Sequence, residues 1–197
     1  CGLSKNLIAV DFKDKGQKES EAVKLLAQSV ETQNVTFVAI GALTNIAAVF
    51  YHHPNILNKV KEIVIMGGSV KGDWELNFWS DKDAADYVLS LDIRKTVVTI
   101  EPCLDVHVTK QNAKSLGKWH SGKWIDQISG ILYRHAWLME KVNPFIIPNG
   151  ESDRKGFHPW DILAIAAVTN PELFKQLDCY ETPKKFLTHP WQLKNTG

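Results

Sequence analysis

Hydrophobic positions along the chain change their spacing several times, and each change marks an element. Ala22, Val23, Leu25, Leu26 and Val30 recur at helical intervals, so an amphipathic helix is predicted over Glu21 to Val30. Val35 to Ile40 (VTFVAI) is a β-branched and aromatic run bounded by Asn34 and Gly41, the pattern of a short buried strand. Thr44 stands where it can cap a helix running from Asn45 to Phe50. A second strand is expected over Glu62 to Met66 (EIVIM), ending at Gly67-Gly68, and a third over Lys95 to Ile100 (KTVVTI). Between them, Ser80 and Asp83 read as a capping box that opens a helix over Lys82 to Ser90. From about Thr109 onward the pattern is mostly helical, with one Pro-, Gly-, Asn- and Ser-rich interruption at Asn143 to Gly156.

Strands that are apolar almost throughout and alternate with helices imply parallel pairing, because such strands must be covered on both faces. The expected fold class is therefore α/β: an open, mostly parallel, Rossmann-like sheet with helices on both faces and a helical C-terminal part. A chain of 197 residues with 44% hydrophobic content is enough for one core, so a single domain over 1–197 is expected. Lys and Arg together number 23 against 22 Asp and Glu, with the signs interspersed, which argues against a nucleic-acid partner. No apolar run is long enough to span a bilayer, and the opening residues lack the order of a signal peptide, so a soluble protein without a membrane partner is expected. Cys1, Cys103 and Cys179 are odd in number and form no CxxC pair, which speaks against a zinc knuckle or a disulfide framework and suits a cytoplasmic location.

In an open parallel sheet, ligands collect beyond the carboxyl ends of the strands. That rule selects Gly41 to Asn45, Gly67 to Asn77 and Glu101 to Val106. The second segment is too long and polar for a minimal connection, and it presents Glu75 and Asn77 just before a helix. Both side chains can hold sugar hydroxyls, and both can equally serve as solvated or capping groups.

AIGALTNIA at Ala39 to Ala47, KVKEIVIMGG at Lys59 to Gly68, ELNFWSDKDAA at Glu75 to Ala85 and WDILAIAAVTNPELF at Trp160 to Phe174 occur in an order and spacing that resembles the inosine-uridine-preferring nucleoside hydrolase family. The resemblance implies calcium-dependent hydrolysis of the N-glycosidic bond of ribonucleosides. It implies that calcium is held by the Asp161 carboxylate and the backbone carbonyl of Ile40, where the family usually has Thr. It also implies that Glu75 and Asn77 contact the ribose and that Met66 lines the same cavity. Asp73 falls where the family often places a further ribose-binding Asn. Trp160 precedes Asp161 as in the purine-specific branch, which implies stacking on the leaving base and a purine preference. His158 is the alternative leaving-group acid, with a loop or capping role as its plainer reading. For Asp161 the plainer reading is a helix N-terminal residue favoured by the macrodipole.

The family's N-terminal aspartate stretch, DxDxGxDD, which supplies most calcium carboxylates and the general base, is absent here. Asp11 and Asp14 stand in the wrong context to replace it. The expectation is therefore either part of a longer enzyme lacking its first strand and aspartate motif, or a catalytically inactive nucleoside- or sugar-binding homologue. A homo-oligomer is expected for the complete enzyme. Neither HExxH nor GxxxxGK[ST] occurs, which makes a zinc peptidase or a P-loop enzyme a poor fit.

Overall fold

The computed structural model describes residues 19–32, 34–71, 74–119, 122–146, 156–174, 180–181 and 194–195. The chain divides into two compact units, Cys1–Ile100 with Asp161–Gly197, and Glu101–Trp160.

The first unit is built on three strands, β1 (Val35–Ala39), β2 (Val60–Met66) and β3 (Lys95–Val98), paired in that order and all parallel. The register sets Ala39 opposite Ile65, and Met66 opposite Val98, so the strands end nearly level. Among the described residues before β3, four α-helices accompany the strands: α1 (Glu21–Thr32), α2 (Thr44–His52), α3 (Leu76–Ser80) and α4 (Lys82–Ser90). The parallel α/β arrangement expected from the apolar runs is the one observed.

One sheet face, carrying Phe37, Ala39, Ile63 and Ile65, joins buried side chains of α1, α2 and α4 in a single core. Fully burying a side chain such as Ile63 or Phe50 stabilises the fold by about 1.5–3 kcal/mol. Phe37 meets Phe50 edge-on, with ring centres 6.0 Å apart. Val64, Met66 and Val98, on the opposite face, are buried as well, so β2 is covered on both sides as a central parallel strand must be.

Two caps differ from expectation. Leu43, not Thr44, occupies the N-cap of α2 and makes no side-chain cap bond, while the Thr44 hydroxyl donates to Asp81 Oδ2 at 2.5 Å. The cap of α4 is Asp81, whose Oδ1 accepts from the Ala84 amide at 3.0 Å. Ser80 is the last residue of α3 and its hydroxyl donates to the Leu76 carbonyl, so no Ser80–Asp83 box forms. The third strand is shorter than expected, ending at Val98, and Ile100 instead opens a short helix, α5 (Ile100–Leu104).

The second unit is dominated by the packed pair α6 (Lys110–Trp119) and α7 (Lys123–Ile146). Ala113 of α6 and Ala136 of α7 are both buried. The Ser129 hydroxyl donates to the Ala113 carbonyl at 2.6 Å, and Lys110 pairs with Glu140 at 2.6 Å. Trp124, Ile128, Ile131 and Leu138 follow one another along α7 at helical spacing and are exposed. α7 continues past Asn143, where the sequence pattern places an interruption. Among the described residues, no helix is long and apolar enough to cross a membrane. α8 (Trp160–Thr169) begins at the last residue of this unit, and β4 (Tyr180–Glu181) pairs antiparallel with β5 (Lys194–Asn195).

Candidate functional site

In the first unit, the carboxyl edge of the sheet gathers four of the residues singled out by sequence. Ile40 follows the last residue of β1, Met66 ends β2, and Glu75 and Asn77 stand at the start of α3. Glu75 is the N-cap of α3 and is only 4% exposed. Its Oε1 accepts from the Asn77 amide at 2.8 Å, and its Oε2 accepts from the Phe78 and Gly68 amides, each at 2.9 Å. The carboxylate thus joins the first turn of α3 to the glycine turn that leaves β2.

Both glycines of that turn are required by geometry. Gly68 has φ of 75°, a left-handed conformation that side chains with a Cβ rarely adopt. A Cβ on Gly67 would lie 2.6 Å from the Phe78 ring and 3.2 Å from Glu75 Oε2. Asn77 is partly exposed, and its side-chain nitrogen donates to the Met66 carbonyl at 3.0 Å, with Met66 Sδ also 3.3 Å away. Asp73, expected to add a ribose contact, lies outside the described residues, as do Asp11 and Asp14.

Asp161 sits in the first turn of α8 and is open to solvent. Among the described residues its carboxylate has no hydrogen-bonding or ionic partner. Neighbouring atoms that displace water raise its pKa above the ordinary 3.8. Calcium takes about six to eight oxygen ligands. Asp161 and the Ile40 carbonyl are hard oxygen donors of the right kind, but no group of three or more His, Cys, Asp or Glu side chains that could hold a metal occurs among the described residues. These two groups alone do not make a calcium site.

In the second unit, His158 and Trp160 come together, with ring centres 5.1 Å apart. His158 Nδ1 is 3.1 Å from the carbonyl oxygens of both Cys103 and Val106. Both partners are acceptors, which assigns the proton to Nδ1 and leaves Nε2 with a free lone pair in the neutral ring. Burial lowers the pKa of His158 below 6.5, opposed by the Val106 bond; the nearby His107 lowers it further and the Cys103 carbonyl counteracts. The sequence pattern does not single out His107, whose ring centre is 4.2 Å from that of His158 and whose buried Nε2 has no hydrogen-bond partner among the described residues. No local motif marks it, because the contact joins residues far apart in the chain. Cys103 is fully buried, its Sγ 4.0 Å from the Trp160 carbonyl oxygen.

Comparison with known proteins follows the same lines. The profile of a family described as inosine-uridine preferring nucleoside hydrolase matches residues 2–186. A pyrimidine-specific ribonucleoside hydrolase, RihA, of Shewanella baltica is 30% identical over 171 residues, covering 81% of this chain and 49% of its own length. Among solved structures, the purine-preferring ribonucleoside hydrolase from Gardnerella vaginalis aligns with a TM-score of 0.68 at 22% identity, over 90% of this chain and 56% of that one. The plant nucleoside hydrolase PpNRh1 aligns with a TM-score of 0.71 at 21% identity, over 94% and 60% respectively. The chain spans about half the length of the relatives it matches, 49% in the case of the Shewanella enzyme. With the family profile matched over residues 2–186, the chain belongs to the inosine-uridine preferring nucleoside hydrolase family.

Proposed function

We propose that the protein to which this chain belongs hydrolyses the N-glycosidic bond of ribonucleosides, releasing base and ribose. The observation that carries this reading is the family match over residues 2–186, together with Asn77 and Met66 at the carboxyl edge of the sheet, where such folds bind ligands. In this reading Asn77 orients the ribose, Met66 walls the cavity, and Glu75 and Asp73 are further ribose contacts. Glycosyl cleavage develops positive charge at the anomeric carbon, which fixed polar groups around the sugar stabilise.

Asp161 is proposed as the carboxylate this chain gives to calcium, with the Ile40 carbonyl beside it. Its support is chemical: an anionic oxygen with no partner among the described residues and a charged form disfavoured by its surroundings is relieved by a cation. When bound, such an ion supplies Lewis-acid assistance to water and sugar hydroxyls.

Trp160 is proposed to stack on the departing base and to favour purines. A cation-π contact with a base gaining a proton is worth about 0.5–2 kcal/mol. His158 fits the acid role less well, since its lowered pKa leaves it neutral at ordinary pH. The test is release of free base from inosine, guanosine and uridine by the purified protein, with calcium present and after chelation. Calcium-dependent release, faster for the purines, supports the whole reading. Tight nucleoside binding without any release would favour a binding protein instead.

A further inference from the structure

We infer that His158 is a positioning residue, one that fastens the segment leading into α8 to the carbonyls of Cys103 and Val106 and so fixes the indole of Trp160. The functional part of the inference rests on the proposed stacking of Trp160 on the departing base. The structural part rests on contacts within the second unit alone.

Val108 and Phe157 exchange both backbone hydrogen bonds, at 2.8 and 3.1 Å, in a single antiparallel bridge. Gly156 permits that approach, for with φ of 90° a Cβ there would lie 2.1 Å from the Val108 carbonyl oxygen. One residue beyond the bridge, His158 Nδ1 reaches the carbonyls of Cys103 and Val106, each at 3.1 Å. Cys103 lies on α5 and Trp160 opens α8, so one ring N–H joins the end of one helix to the approach of the other. The ring of His158 then meets that of Trp160, 5.1 Å between centres and tilted by 51°, and that of His107 at 4.2 Å. Two acceptors at Nδ1 require the proton to sit there, and in the neutral ring it is the only one. Burial, by lowering the pKa of His158, favours that neutral ring. The proton is engaged with backbone, so His158 serves a leaving base through the indole it holds and not by giving up a proton.

Two variants separate these roles. His158→Phe keeps a ring beside Trp160 but has no donor, whereas His158→Asn keeps a donor for the two carbonyls but has no proton to transfer. In the Phe variant, amide hydrogen exchange at Val108 and Phe157 should accelerate by about tenfold or more. The fluorine resonance of Trp160, in protein labelled with fluorotryptophan and assigned by its loss in Trp160→Phe, should broaden as the indole becomes mobile; in the Asn variant it should stay sharp. Turnover of inosine should fall by about threefold to tenfold in His158→Phe and stay within about twofold of the unaltered protein in His158→Asn. Adding His158→Phe to Trp160→Ala should cost less than about twofold more, because both changes remove the same contact. Unchanged exchange and an unchanged fluorine line in the Phe variant would overturn the inference. So would an Asn variant as impaired as the Phe variant, which would make His158 a proton donor, or losses that multiply in the double variant. If the unaltered protein neither binds nor cleaves nucleosides, the ribonucleoside reading falls while exchange and the fluorine line still judge the clamp. If His158→Phe does not fold, the Asn variant decides by itself between holding and proton transfer.

Discussion

His158 donates from Nδ1 toward two carbonyl oxygens at once, those of Cys103 and Val106, while the ring of His107 stands 4.2 Å away. Its imidazole is therefore held in one tautomer and, through burial first, resists protonation. As pH falls, the unfolded chain takes up this proton near 6.5 and the folded chain only at a lower value. Between those values the unfolded state binds more protons, so the contribution to stability is present above about 6.5 and is lost as pH drops through the folded pKa. Urea midpoints measured from about pH 7.5 down to about pH 5 should fall more for the unaltered protein than for His158→Asn, whose amide can still donate to the same carbonyls. Parallel curves would show that His158 titrates alike in both states.

Asp161 carries the opposite sign. Its folded pKa is raised above 3.8 by neighbouring atoms that displace part of its water, so the favourable contribution is present below that value and is lost as pH rises through the folded pKa. Near neutrality and without a cation, Asp161→Asn should leave the melting temperature unchanged or raise it slightly. Calcium should raise the melting temperature of the unaltered protein and have a much smaller effect on the variant. Equal calcium responses would remove Asp161 from the proposed ligand set.

Trp160→Ala separates stacking from packing. If the indole assists a base that must gain a proton, turnover of inosine should drop by about threefold to thirtyfold, in line with a contact of about 0.5–2 kcal/mol. Turnover of a nucleoside whose leaving group departs unprotonated should drop much less. The same loss for both substrates would assign Trp160 to packing beside His158.

Asp81 ties two helices with one carboxylate, accepting from the Ala84 amide and from the Thr44 hydroxyl. Asp81→Ala removes a helix cap and a contact between elements, a loss of about 1–3 kcal/mol. Thr44→Val should lose a smaller part, and combining the two should cost less than their sum. Chemical denaturation of the three variants reads this directly.

The strands were legible because VTFVAI, EIVIM and KTVVTI are apolar runs too short for helices and bounded by turn residues. Caps were less so. Ser80, Asp81 and Asp83 are all capable cap residues within one turn, and only the non-helical backbone at the N-cap, found at Asp81, selects among them. Thr44 has the right chemistry but already lies inside α2, where its hydroxyl turns to a partner 37 residues away. In the site, the pattern located Glu75 and Asn77 beyond β2 and left capping open beside sugar binding. The structure shows the capping role and adds the reach of the carboxylate to Gly68, a contact that spacing does not encode. The pairing of His107 with His158 was hidden for the same reason.

The close seat of Phe78 on Gly67 constrains what sequence variation among relatives can signify. A bulkier residue at position 67 would push α3 off the sheet whether or not the protein ever meets a nucleoside. A Glu at position 75 answers to the same demand, since it satisfies amides that exist in any copy of this fold. A homologue that had lost its chemistry would still be held to both residues. Their presence therefore vouches for the architecture, whereas Asp161, whose carboxylate has no partner among the described residues, answers to no such demand.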